Sequence, residues 1–206
     1  MAGHNDGPGL PLSDDEVRFI GWQLTDGHTN PHNQAIVIAQ SSRSRHNGDI
    51  KSVLDGCGFG YRVYRHKRSG RFAKYADSLT YVIAWGSPRG ANVGKRGWKH
   101  LAKYFLSPLR VSLRDISQRQ LGVLLEAMNL GDGCKRKAIS WTPRTYTLCM
   151  GNHKCLADEL QALLIQKDTA AISERRSSAP TGTRVSPSRN TSCISAARRK
   201  PPSVAR

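Results

Sequence analysis

The sequence predicts an α/β (α+β) fold in which an αββαββα unit is repeated about a pseudo-twofold axis. Two central packed helices carry antiparallel β saddles, and the second half is incomplete. Three observations predict this. The nine-residue stretches FIGWQLTDG (19–27) and LEAMNLGDG (125–133) have the same shape, an apolar helical run ending on an aspartate before a glycine. Strand-like and helix-like patterns alternate between them. The order then restarts after the second stretch, as an internal duplication about 100 residues long would require.

Residues 1–12 are a Gly/Pro-rich leader, expected to be loose. Ser13-x-x-Glu16 is a capping box, and Asp14 and Asp15 complement the helix dipole in the first turn. Val17, Ile20, Gly21 and Leu24 follow at helical spacing up to Gly27. QAIVIAQS (34–41) is a β-branched strand, NGDIKSVLDGCGF (47–59) a short helix, and GYRVYRHK (60–67) a strand. A basic loop leads to the strand LTYVIAWG (79–86), and GWKHLAKYFL (97–106) closes the first repeat, 13–110. Ser117 with Gln120 repeats the capping box, followed by Leu121, Leu124, Leu125 and Met128. In the second repeat, 111–168, residues 138–150 read as a hairpin and 153–167 as a helix. Residues 169–206 are rich in Ser, Arg, Pro, Ala and Thr, a composition expected to give a disordered basic tail.

The 206 residues carry a formal net charge of +17, unevenly spread. Residues 40–110 hold 15 basic and 3 acidic side chains, with Tyr and Phe interleaved, which is the footprint of a polyanion binder. There is no apolar run near the length of a membrane span and no signal-type leader, so a cytoplasmic protein without membrane contact is expected. The five cysteines form no CxxC pair. Cys134, Cys149, His153 and Cys155 match no common zinc spacing and read as scattered reduced thiols.

Gly21 and Ala127 stand five residues before their aspartates, Thr25 and Gly131 one before. Small residues four apart on one face let two helix backbones come close. Packed that way, the helices bring out Asp26 and Asp132 side by side. Two such carboxylates repel unless a hard divalent cation lies between them, which points to Mg²⁺ and a metal-dependent nuclease.

The two stretches resemble the nine-residue motif of the LAGLIDADG homing endonucleases: a small residue at the third place, Asp at the eighth and Gly at the ninth. The likeness covers about residues 13–167. It implies a site-specific endonuclease that hydrolyses phosphodiester bonds of double-stranded DNA with metal-bound water, as a monomer with pseudo-twofold symmetry. It also implies that Asp26 and Asp132 bind catalytic Mg²⁺, and that Gln40, late in the first strand, orders water around it. A family lysine near the end of the last strand corresponds to Lys95, with Arg96 as the neighbouring choice. DNA contacts are expected from Arg43, Arg45, Arg62, Arg65, Lys67, Arg68, Arg71 and Lys74; Tyr61 and Tyr64 face opposite sides of their strand.

The second half departs from the pattern. Some 80 residues separate Asp26 from the end of the first repeat, whereas 74 follow Asp132, and the last 38 of these do not read as strands. The expectation is therefore a truncation, a frameshift or a second half incomplete by design, with cleavage impaired. No self-splicing module precedes residue 13, so the expectation is a free-standing, intron-borne or excised endonuclease. The alternatives are a non-catalytic nucleic-acid binder, either a maturase on intron RNA or a DNA-binding remnant, and an HNH-type nuclease suggested by His4-Asn5, His32-Asn33 and His46-Asn47. These dipeptides lack a ββα-metal context.

Overall fold

The computed structural model describes residues 8–32, 34–70, 75–83, 93–133, 145–149, 154–167, 170–176 and 191–197. The first repeat runs α1 (Asp14–Asp26), β1 (Gly27–Asn30), β2 (Ala35–Ser41), α2 (Asn47–Gly56), β3 (Tyr61–His66), β4 (Ser78–Ile83) and α3 (Val93–Leu106). A single turn, α4 (Leu109–Ser112), links it to α5 (Gln118–Asp132), β5 (Thr145–Cys149), α6 (Lys154–Gln166), β6 (Ala170–Arg176) and β7 (Thr191–Ala197).

Both long helices start on their capping boxes. The Glu16 N–H donates to the Ser13 hydroxyl at 3.2 Å, and the Ser13 N–H donates back to the Glu16 carboxylate at 2.8 Å. At α5 the Gln120 N–H donates to the Ser117 hydroxyl at 3.2 Å, and the Ser117 N–H to Gln120 Oε1 at 3.3 Å. Each box satisfies backbone donors that the first helical turn leaves without partners. Val17, Phe19, Ile20 and Trp22 of α1 and Leu121, Leu124, Leu125, Ala127 and Met128 of α5 are buried, and the two helices pack against each other.

Four antiparallel strands in the order β1-β2-β4-β3 flank this pair. Side chains alternate across the sheet. Ile36, Ile38, Tyr81 and Ile83 are buried beneath the helices, with Tyr61 and Leu79 packed alongside. Val37, Ala39, Arg62, Tyr64, Thr80 and Val82 therefore belong to the outer face. Helix α3 folds back on α1, where Phe105 meets Phe19 edge to face at 6.1 Å between ring centroids.

The strands and helices of the first repeat fall where the sequence places them, save that β1 follows Asp26 directly and α4 was not foreseen. Two expectations are corrected. The chain from 169 onward is not free of strands: β6 and β7 form a second sheet with β5, in the order β5-β7-β6. That order repeats β2-β4-β3 of the first half. Composition averaged over the tail hides two short stretches with Ile172, Thr191, Cys193 and Ile194, and pairing with β5 overrides their weak propensity. The correspondence extends to the edge, since Gly133 bridges Leu148 as Gly27 pairs with Ile38. Among the described residues no helix follows β7.

The leader is not loose over residues 8–12. The Gly9 N–H donates to the Asp115 carbonyl at 2.9 Å, and Leu12 is buried. Buried Gln120 accepts from the Leu10 N–H at 2.8 Å, and its amide nitrogen donates to the carbonyls of Leu10 (2.9 Å) and Leu12 (3.2 Å). Gln120→Ala leaves these groups without partners and removes the capping box. The expected loss is about 2 kcal/mol, read from the urea unfolding midpoint.

Candidate active site

Helices α1 and α5 approach most closely at their small residues. A Cβ placed on Gly21 would lie 2.6 Å from Ala127 Cβ and 2.9 Å from the Leu124 carbonyl oxygen. One turn on, a Cβ at Gly131 would collide with the Thr25 hydroxyl, and would lie 2.9 Å from Thr25 Cβ and 3.1 Å from Asp26 Oδ2. The Thr25 hydroxyl is drawn back along its own helix by bonds to the carbonyls of Gly21 and Trp22, both 3.2 Å. The C-terminal ends of both helices are thus brought together, and Asp26 and Asp132 are their last residues.

That placement is electrostatically costly. A carboxylate at a helix C-terminus faces the negative end of the dipole. Burial pushes the Asp26 carboxyl up from an ordinary 3.8 to about 6; the nearby Asp132 charge adds to the rise, and His46 opposes it. The amide nitrogen of Gln40 donates to Asp26 Oδ2 at 3.1 Å, orienting the acid. Gln40 reaches it from β2, four strand positions along from the buried Ile36.

The turn after Gln40 is held by several bonds. The Asn47 amide nitrogen donates to the carbonyls of Ser41 and Ser44, both at 2.9 Å, and its oxygen accepts from the Tyr81 hydroxyl at 3.1 Å. His46 sits at the end of this turn against Trp22, ring centroids 5.9 Å apart. The sequence signals it only through the His46-Asn47 dipeptide before a helix, and its place beside the acid depends on the turn. On the flank of the helix pair a cleft of about 300 Å³ is lined by Trp22, Asp49, Glu126 and Leu130 among others. Gln23, deep in α1, has no partner for its Oε1 among the described residues.

The basic side chains expected to meet DNA are distributed rather than clustered. Arg43 and Arg45 are exposed on the turn after β2, and Arg45 Nε donates to His46 Nε2 at 3.0 Å. Arg62 is exposed on the outer face of β3, with Tyr64 two residues on. Arg65 points to the opposite side of the strand and pairs with Asp77 at 2.7 Å, which holds the Asp77 carboxyl below its ordinary range. Lys67 and Arg68 are exposed beyond the end of β3. Arg71 and Lys74 lie outside the described residues. Lys95 is the third residue of α3, beyond the end of β4 rather than on it.

Among the described residues no group of three or more His, Cys, Asp or Glu side chains is arranged to hold a metal. Cys134 and His153 of the zinc reading lie outside them. Burial, Glu16 and Asp15 push the Cys57 thiol up to about 12, so it stays protonated. No described helix is long and apolar enough to cross a membrane.

Neither a known family model nor a curated protein sequence matches the chain. Solved structures do. A homing endonuclease, I-WcaI, bound to its DNA recognition sequence, is similar over 91% of this chain and 77% of its own, at 16% identity and a TM-score of 0.51. Full-length DUF199/WhiA from Thermatoga maritima aligns with 92% of the chain, which spans about half of it (53%), at 12% identity and a TM-score of 0.45. The fold of this chain is thus similar to that of a homing endonuclease.

Proposed function

We propose that the chain is a Mg²⁺-dependent DNA endonuclease of the LAGLIDADG homing type, acting on double-stranded DNA as a pseudo-twofold monomer. The observation that carries this reading is the pair of acids ending two tightly packed helices, one of them raised by burial and by the other. A cation fits there on the chemistry of the donors. Mg²⁺ prefers oxygen ligands, and uses one or two carboxylates together with phosphate oxygens and water rather than a closed protein cage. Two acids, with no third such ligand grouped with them among the described residues, meet that description.

When bound, Mg²⁺ would supply Lewis-acid stabilisation of the phosphate and a nucleophile at neutral pH. The chain's own residues do the rest. Asp26 and Asp132 hold the cation, Gln40 fixes the orientation of Asp26, and the outer β face with Arg62 and the 42–46 turn with Arg43 and Arg45 contact backbone phosphates. Arg65 is partly committed to Asp77, so its phosphate contact competes with that pair. Lys95 and Arg96, at the start of α3, remain the choice for stabilising developing phosphate charge.

Purified chain incubated with a supercoiled plasmid carrying its uninterrupted genomic locus tests the reading. Nicking or linearisation at one site in Mg²⁺, abolished by EDTA, supports it. The rival reading is a binder of DNA or intron RNA without cleavage. Tight binding with intact plasmid would establish that rival.

A further inference from the structure

We propose that His46 is a positioning residue of the first half-site, clamping the β2–α2 turn to α1 so that Gln40 holds Asp26. The proposal rests on the endonuclease reading for its consequence, though not for its geometry. Four contacts make the clamp. The His46 ring lies against Trp22, which is buried one helical turn before Asp26. Its Nδ1 bonds to Asp49 Oδ2 at 2.9 Å, tying the ring to the first turn of α2. Its Nε2 accepts from Arg45 at 3.0 Å, and its backbone N–H donates to the Ser44 hydroxyl at 3.2 Å.

Gln40 is the last residue but one of β2, so the turn that begins after it determines where its amide points. The Asn47 bonds make that turn rigid within itself. They do not fix it against α1; among the side chains of the turn, the described ring contact to α1 is made by His46. Charged groups near the imidazole are Asp26 from α1, Arg45 from the turn and Asp49 from α2. His46 also lies near enough to Asp26 to oppose the effect of burial on that acid. The side chain is largely covered while Asp49 is half exposed, so the ring is a fixed element and its partner an adjustable one. The chain carries His153 immediately before α6, as His46 immediately precedes α2.

The clamp belongs to the Asp26 half, and this separates it from a general packing role. The test uses the full-length ¹⁵N-labelled chain, with the Gln40 side-chain amide signals assigned by Gln40→Met. In His46→Ala these signals should move towards those of a free glutamine amide, while the amides of β3 and β4 stay in place. Asp49→Ala, a change at an exposed side chain, should move them in the same direction by less. Gln40 signals unchanged in both variants, or a shift of the whole spectrum in both, would overturn the proposal. With DNA end-labelled on each strand in turn, His46→Ala should slow cleavage of one strand by about tenfold or more through misplacement of the acid. The other strand's rate should be unchanged, and equal slowing of both strands would count against the clamp. A parent chain that cuts neither strand overturns the endonuclease reading, while the Gln40 signals still decide the role of His46.

Discussion

Asp26→Asn is expected to stabilise the folded chain at neutral pH, although it removes an acid central to the site. An acid whose folded pKa is raised binds its proton more tightly when folded than when unfolded. The stabilisation from that proton is complete below about pH 4 and is lost as pH rises through about 6. A rise from 3.8 to about 6 corresponds to at most about 3 kcal/mol. The carboxyl is partly exposed, and solvent screening reduces this to about 1–2 kcal/mol. Asparagine keeps an oxygen for the Gln40 amide and carries no charge to repel Asp132. Urea midpoints measured from pH 4 to 8 should show the parent losing stability relative to the variant between about pH 4 and 6, with a constant gap above. Parallel curves across the whole range would mean that Asp26 is not strained in the folded chain.

The second large effect concerns the helix pair. Gly21→Leu is expected to cost about 3 kcal/mol or more, a large share of the stability of a domain this size. Even a Cβ at this position meets Ala127 Cβ at 2.6 Å and backbone of α5 at 2.9 Å, so the helices must separate. Separation moves Asp26 from Asp132 and opens the core around Leu124 and Met128. Gly122, on the same helix as Ala127, is the control. Nothing lies within 4 Å of a Cβ there, and Gly122→Ala should stabilise by about 0.5–1 kcal/mol through helix propensity alone. Thermal unfolding followed by circular dichroism compares the two. Equal effects at both positions would show that Gly21 matters for propensity rather than for close approach.

Much of this arrangement was legible in the sequence because it depends on local chemistry. Capping boxes at Ser13 and Ser117 set both helix starts within a residue. The β-branched run at Ile36–Ile38 and the alternation around Tyr61 and Tyr81 marked strands whose inner faces are apolar. The matched small residues at Gly21, Thr25, Ala127 and Gly131 spoke for close packing without any knowledge of topology. What escaped depends on partners distant in the chain. Strand β1 is four residues with little apolar character, and it exists because Gly27–Asn30 pairs with Ala35–Ile38. Strands β6 and β7 are likewise held by pairing with β5 rather than by composition. The leader looked loose because Gly and Pro dominate it, yet Gln120, over a hundred residues away, supplies its hydrogen bonds. His46 was hidden for the same reason, since its meaning lies in Trp22 and Asp49. Arg65 carries a partner of the same hidden kind, since its ion pair with Asp77 twelve residues on is not visible in the strand pattern.

The central claim is that Asp26 and Asp132 act together on DNA through a divalent cation. The most direct measurement is the single-turnover cleavage rate of the locus-bearing plasmid in Mg²⁺ for the parent, Asp26→Asn and Asp132→Asn, with DNA affinity measured alongside. Each variant is expected to lose at least about 10³-fold in rate while still binding DNA, because each removes a ligand that acts on the developing phosphate charge. Cleavage by either variant at the parent's rate would contradict the account.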